Sequence, residues 1–170
     1  MKTLKEIEDR KKDIVERYGL FMEKSENFAP ISARIFSTLL MAEKRGATFE
    51  DLVHFLGASK STISTNLHKL GNMNVVEYYT KPGDRKKYFR LSPVGFISFL
   101  DQDLAKFKAE SELVEEVINF KKLANEIIED TESKFIVHED SPYLDYINNS
   151  IKGLEILKEK IRTNCMVTNK

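Results

Sequence analysis

Residues 48–91 read TFEDLVHFLGASKSTISTNLHKLGNMNVVEYYTKPGDRKKYFRL, and the stretch divides into four segments. A helix is predicted over Phe49–Leu56, because the Thr48 hydroxyl can cap it and Asp51 in the first turn suits the positive end of the helix dipole. Gly57 and Ala58 supply a turn. A second helix is expected over 60–70, opened by Ser59 as N-cap and stopped at Gly71, since glycine enters the left-handed region without steric cost. Two β-rich runs follow, 75–80 and 87–91. They are joined by Lys81-Pro82-Gly83-Asp84, where proline presets the first central φ and glycine accepts a positive second one, as a type II turn requires.

Helix, turn, helix, hairpin is the order of a winged helix-turn-helix. The expected fold class is therefore mainly α with a small β-wing (α+β): a winged helix-turn-helix plus a helical dimerisation region. In the second helix Ile63, Leu67 and Leu70 recur at i, i+4, i+7 and form one buried stripe. The other positions are Lys60, Ser61, Thr62, Ser64, Thr65, Asn66, His68 and Lys69. Mostly short and free of carboxylates, that face can come close to a groove wall and hydrogen-bond base edges and phosphates.

Charge supports the same surface. The 170-residue chain has no net charge, with 27 bases and 27 acids. Between residues 58 and 90, however, seven bases (Lys60, Lys69, Lys81, Arg85, Lys86, Lys87, Arg90) meet two acids (Glu77, Asp84), a balance of +5. Between 101 and 160 fifteen acids meet eight bases, a balance of −7. Screening limits a charge's reach to about 8–10 Å in ordinary salt, so a polyanion responds to the local patch rather than to the total.

The run Gly57-Ala58-Ser59-Lys60-Ser61-Thr62-Ile63-Ser64-Thr65-Asn66-Leu67, followed by Tyr79-Thr80-Lys81-Pro82-Gly83-Asp84-Arg85-Lys86, resembles the MarR superfamily and, more narrowly, its GbsR-like branch of transcriptional regulators. The matching motifs cover residues 30–91, about a third of the chain. The resemblance implies a sequence-specific regulator of double-stranded DNA, usually a repressor, working as a homodimer and responsive to a small molecule held between its DNA-binding and dimerisation halves. It places an arginine near the wing tip in the minor groove, and Arg85 stands at the matching place. In the GbsR branch choline or glycine betaine sensing is known, which needs an aromatic cage around a quaternary ammonium. Phe21, Phe28, Phe36, Phe96, Phe99 and Tyr143 could line such an effector site, although core packing is the plainer use of these rings.

The expected DNA-binding set is Ser59, Lys60, Ser61, Thr62, Ser64, Thr65, Asn66, His68, Lys69, Lys81, Arg85, Lys86 and Lys87. Ser61, Thr62, Thr65 and Asn66 are assigned to base edges, Asn66 foremost because an amide can bond adenine bidentately. Lys60, His68, Lys69, Lys86 and Lys87 are assigned to phosphates. Asp84 reads as a turn-orienting residue, since a bare carboxylate would repel the backbone.

Outside this stretch the pattern is helical. Residues 2–22 carry Leu4, Ile7, Ile14, Tyr18 and Phe21 on one predicted face. Pro30 opens a helix expected to reach about residue 44, with Ile31, Ile35, Leu39 and Leu40 inward and Ser32 and Arg34 as candidate backbone contacts. Ser92-Pro93 and Ser141-Pro142 are two further helix starts. The first leads an apolar series from Ile97 to Ile128, too long for a compact winged helix to cover, and the second a series from Tyr143 to Ile161. With the N-terminal helix these read as a dimer interface, or alternatively as an intrachain bundle. The expected organisation is 1–28, an N-terminal helix packing with the dimerisation region; 29–92, the winged helix-turn-helix; and 93–170, the helical dimerisation region, with an unstructured tail over 164–170.

Other function classes have little footing. His54, His68 and His138 stand in no metal-ligand spacing, and the glycines form no phosphate-cradling loop. Neither catalysis, metal nor cofactor is expected. No apolar run approaches bilayer length and the charged N-terminus lacks a signal peptide's apolar core, so a cytoplasmic location is expected. The one cysteine, Cys165, rules out an internal disulfide framework and is at most a redox-sensing thiol. A winged helix used only for protein–protein contact remains the alternative, though it would not explain an acid-free helix face.

Overall fold

A computed structural model describes residues 3–138 and 141–168, with side chains described as far as Thr163. Two compact units divide the chain, Met1–Phe96 and Ile97–Lys170. The first holds α1 (Leu4–Ser25), α2 (Pro30–Leu40), β1 (Ala47–Thr48), α3 (Phe49–Leu56), α4 (Lys60–Asn72), β2 (Val76–Thr80) and β3 (Lys87–Leu91). Helix α5 (Pro93–Ile127) starts there and runs on into the second unit, which closes with a 3-10 turn (Thr131–Ser133) and α6 (Pro142–Thr168).

The winged helix-turn-helix is present, and its local signals act as the residues dictate. At α3 the Asp51 N–H donates to Thr48 Oγ1 at 3.1 Å while the Thr48 N–H donates to Asp51 Oδ2 at 2.9 Å, a reciprocal capping box. Gly57 ends that helix in the left-handed region at φ 61°. Ser59 caps α4 by accepting from the Thr62 N–H at 3.1 Å. Ile35, Leu52, Ile63 and Leu70 are fully buried where α2, α3 and α4 converge.

Several boundaries differ from expectation. Helix α4 runs through Gly71 to Asn72, and the left-handed residue behind it is Asn74 at φ 57°, an amide residue that tolerates this region. Helix α2 stops at Leu40, not near 44. The residues beyond it lead into β1, which the sequence pattern did not predict. β1 is two residues long, Ala47 and Thr48, and pairs with Phe89 and Tyr88 of β3, giving a three-stranded antiparallel sheet in the order β1-β3-β2. Gly46 makes this approach possible: a Cβ there would lie 2.2 Å from the Phe89 carbonyl oxygen, and its φ is +72°.

The inward face of α1 is also not the predicted one. Val15, Gly19 and Met22 are buried, against α2, whereas Leu4 is 82% exposed and Ile7 and Phe21 are more than half exposed. The Arg34 guanidinium of α2 lies alongside Gly19 and pairs with Glu16 and Glu23 of α1, its Nε donating to Glu16 at 3.1 Å. That hydrogen bond holds the Glu16 carboxyl below the usual carboxylate range. Arg34 thus fastens two helices, and the guanidinium expected to meet a DNA backbone is engaged by two carboxylates instead.

In the second unit Leu100, Leu104 and Ile147 are buried, and Ser111 Oγ donates to Asn148 across α5 and α6 at 3.2 Å. Lys108 pairs with Glu155 at 2.9 Å, and Lys158 with Asp101. Helix α6 continues to Thr168, where the pattern predicted an unstructured tail from 164; Asn169 and Lys170 lie outside the described residues, as does the side chain of Cys165. Among the described residues no helix is long and apolar enough to cross a membrane.

Candidate nucleic-acid interface

Helix α4 and the β2–β3 wing flank an open groove of about 860 Å³, lined by Ser64, His68 and Asn72 on one side and Arg85, Lys86 and Lys87 on the other. Burial of Ile63, Leu67 and Leu70 turns the opposite side of α4 outward. Ser61, Thr65, His68 and Asn72, spaced i, i+4, i+7, i+11, form an exposed row, with Lys60, Ser64 and Lys69 beside it, also exposed. None of these seven residues is acidic. Two carboxylates do line the groove, Glu50 and Glu77. Glu77 is engaged, facing Arg90 across the strands with 2.6 Å between Oε1 and Nε.

The wing tip is built around Asp84. The Asp84 N–H donates to the Lys81 carbonyl at 3.0 Å, and Gly83 between them has φ +77°, the type II turn expected from Pro82-Gly83. Asp84 then accepts from the Tyr88 hydroxyl at 2.6 Å and from the Lys86 N–H at 2.9 Å. These bonds, with the charges of Lys86 and Lys81, hold the Asp84 carboxyl below the usual range, and the same carboxylate pushes the Tyr88 hydroxyl up. Asp84 therefore shapes the turn, as its predicted orienting role requires.

The wing's cations fall into two groups. Lys81 Nζ lies 4.3 Å from the centre of the Tyr88 ring and Lys87 Nζ 4.1 Å from that of Tyr78, so both ammonium groups rest on aromatic faces. Those rings belong to cross-strand aromatic pairs, Tyr79–Tyr88 and Tyr78–Phe89. Arg85 and Lys86 are exposed at the tip, and among the described ion pairs neither has a carboxylate partner.

Three predicted contacts in or beside α4, Ser59, Thr62 and Asn66, and one on α2, Ser32, hydrogen-bond within the protein. Asn66 was expected to read bases, but its side chain is turned inward and only 8% of the residue is exposed. Its Oδ1 accepts from Ser32 Oγ at 2.8 Å and its Nδ2 donates to the Thr62 carbonyl at 2.8 Å. Position 66 lies on the edge of the apolar stripe, where the helical angle alone leaves inward or outward open. Ser32, a predicted backbone contact, is buried by the same bond. Ser59 accepts from the Thr62 N–H and shares hydroxyl bonds with Ser61 at 2.9 Å and Thr62 at 2.7 Å, which fills the one donor and two acceptor sites of a hydroxyl. Thr62 is half-buried in that cap.

The six predicted effector residues are put to different uses. Phe28 and Phe36 are buried and meet edge to face with 5.9 Å between ring centres, and Tyr18 stacks on Phe36. Phe21 and Phe96 are exposed, and Phe99 is half-buried. Tyr143, in the second unit, stacks with Tyr146 and donates its hydroxyl to Glu110. Phe28 and Phe36 are thus packed in the core of the first unit. Among the described residues no cluster of histidine, cysteine and carboxylates has the arrangement of a metal site.

No family model matches the chain. The HTH-type transcriptional regulator MmpR5 of Mycobacterium tuberculosis is 33% identical over 84 residues, which are 49% of this chain and 50% of that protein. The chain thus spans about half the length of this curated relative. Similar solved structures include a transcriptional regulator at 20% identity (95% of this chain, 99% of that one, TM-score 0.47). The S. aureus MepR–DNA complex is similar at 16% identity (73% and 98%, TM-score 0.40), and a MarR/EmrR family transcriptional regulator from Acinetobacter sp. ADP1 at 20% (71% and 91%, TM-score 0.40).

Proposed function

We propose that this chain is a sequence-specific, double-stranded DNA-binding transcriptional regulator of the MarR type, acting as a homodimeric repressor. The observation that carries the reading is the exposed, acid-free row of α4 beside a wing tip whose Arg85 and Lys86 are exposed and, among the described residues, form no ion pair. Ser61, Ser64 and Thr65 are the base-edge candidates, because hydroxyls can donate to or accept from any base edge. Lys60, His68, Lys69, Lys81, Lys86 and Lys87 are assigned to phosphates, and Arg85 to the minor groove. Two cations resting on tyrosine rings gain a direction and keep their charge. The 33% identity to an HTH-type transcriptional regulator over half its length supports the same class.

Dimerisation is supported by α5, where Leu113, Val117, Phe120, Leu123 and Ile127 form an exposed apolar row at three- and four-residue steps. Two copies joined there would bring two α4 helices into one assembly, as an operator with two half-sites requires. The GbsR-like assignment rests on residues 57–67 and 79–86. Release by a small-molecule effector belongs to the same proposal. The deciding experiment is selection of bound fragments from the source genome, followed by titration of one fragment at rising salt. Retention of a defined set, with affinity falling steeply as salt rises, is expected. Retention of none at moderate salt would overturn the proposal in favour of a protein-interaction module.

A further inference from the structure

We infer that Asn66 and Ser32 are a positioning pair that sets how α4 turns its outer row toward DNA, and that neither residue touches DNA itself. The inference rests on the DNA-binding reading above. Asn66 adjoins Thr65 in sequence and lies one turn beyond Thr62, yet its amide is committed at both ends, to Ser32 of α2 and to the Thr62 carbonyl. Ser32 is 5% exposed and sits in the first turn of α2, whose N-cap residue Ala29 makes no side-chain cap. The bond joins residues 34 apart in sequence.

A directional tie does something here that apolar packing does not. Contacts of Ile63, Leu67 and Leu70 are non-directional and tolerate a small roll of the helix about its axis. A hydrogen bond weakens steeply as its angle opens. With a side-chain radius of about 5–6 Å, a roll of roughly 10° moves a side-chain tip by about 1 Å. That is enough to lose a base-edge hydrogen bond while leaving the attraction between lysine and phosphate nearly intact. The Asn66 amide at the edge of the stripe fixes this angle, so its loss should damage discrimination between sequences more than overall attraction to DNA.

The test uses the full chain and two duplexes of equal length, one selected by the wild type and one scrambled, read by fluorescence anisotropy over a salt series. Ser32→Ala, Asn66→Ala, the double variant and Ser32→Thr are compared, with circular dichroism showing each to be folded at the assay temperature. Each single alanine variant should lower the ratio of selected to scrambled affinity by about tenfold. The double should lose no more than either single, Ser32→Thr should keep the ratio, and the salt slope should stay unchanged throughout. A loss confined to Asn66→Ala, with Ser32→Ala at the wild-type ratio, would make Asn66 a base reader and overturn the inference. So would single variants that keep the full ratio. A wild type that does not distinguish the duplexes would instead overturn the functional reading, and this inference with it.

Discussion

Helices α4 and α5 both carry apolar residues at helical spacing, and they differ in what becomes of them. In α4, Ile63, Leu67 and Leu70 are all buried within the first unit, and what remains outside is polar. In α5 the apolar residues split. Leu100 and Leu104 are buried, and Phe107, Val114 and Ile118 are half-buried, but Leu113, Val117, Phe120, Leu123 and Ile127 stay outside, Ile127 at 82% exposure. Helix α4 satisfies its own hydrophobic pattern. The second unit leaves a continuous row of apolar surface in water, the condition that an interface between copies relieves.

The largest effect should follow from attacking the region that is complete. Ile63→Ala removes a fully buried side chain at the meeting of three helices and should cost about 2–5 kcal/mol, measured by denaturant unfolding of variant and wild type at equal protein concentration. A change below about 0.5 kcal/mol, the scale of a surface substitution, would mean that α4 is not anchored by this stripe. Val117→Glu attacks the other region. The residue is exposed in the single chain, so circular dichroism should be unchanged, while a symmetric seam would carry the charge twice and self-association should weaken by about a hundredfold or more. Equal sedimentation of variant and wild type would remove this row as the dimer seam.

Arg85→Ala tests the polar surface that the completed pattern of α4 leaves free. Loss of one DNA contact should reduce affinity about tenfold and shallow the salt slope by about one unit; an unchanged slope would take the wing tip off the DNA. The smallest effect concerns acid. Hydrogen bonds from Thr48, the backbone N–H first, hold the Asp51 carboxyl below its ordinary value, assisted by the charges of Arg45 and Lys86. A depressed carboxyl contributes stability that is present above its unfolded value near ~4 and is lost as pH falls through the lower folded value. Thermal melts of the wild type should therefore decline more as pH falls below about 4 than those of Asp51→Asn. Parallel declines would show that the cap does not titrate.

How much was legible from residues alone varied with the range of the interactions. Thr48, Ser59, Gly57 and Pro82-Gly83 act on atoms within three or four positions of themselves, so α3, the start of α4 and the wing turn follow from the chain directly. Lys87–Leu91 was legible for a similar reason, as a short β-rich run next to a strong turn. β1 was not, because a two-residue strand has no period of its own and exists only through its pairing with Phe89 and Tyr88. The buried face of α1 was misread because Leu4, Ile7 and Phe21 are larger and more apolar than Gly19. Gly19 is nonetheless inward, for it leaves room for the Arg34 side chain.

The sequence by itself determined the order of elements, the stripe of α4 and the basic character of the wing, since all three depend on spacing, local hydrogen bonds and residue charge. Tertiary structure decided which groups remain available. It turned Asn66 toward Ser32, enclosed Arg34 between two glutamates, laid Lys81 and Lys87 on tyrosines and left Arg85 and Lys86 exposed. The Asn66–Ser32 contact depends on a partner from a different helix, brought close by the burial of Ile35, Leu52, Ile63 and Leu70. Helical spacing assigns a residue to a face of its helix; only the neighbouring element settles whether a residue at the edge of that face meets solvent or a hydrogen-bond partner.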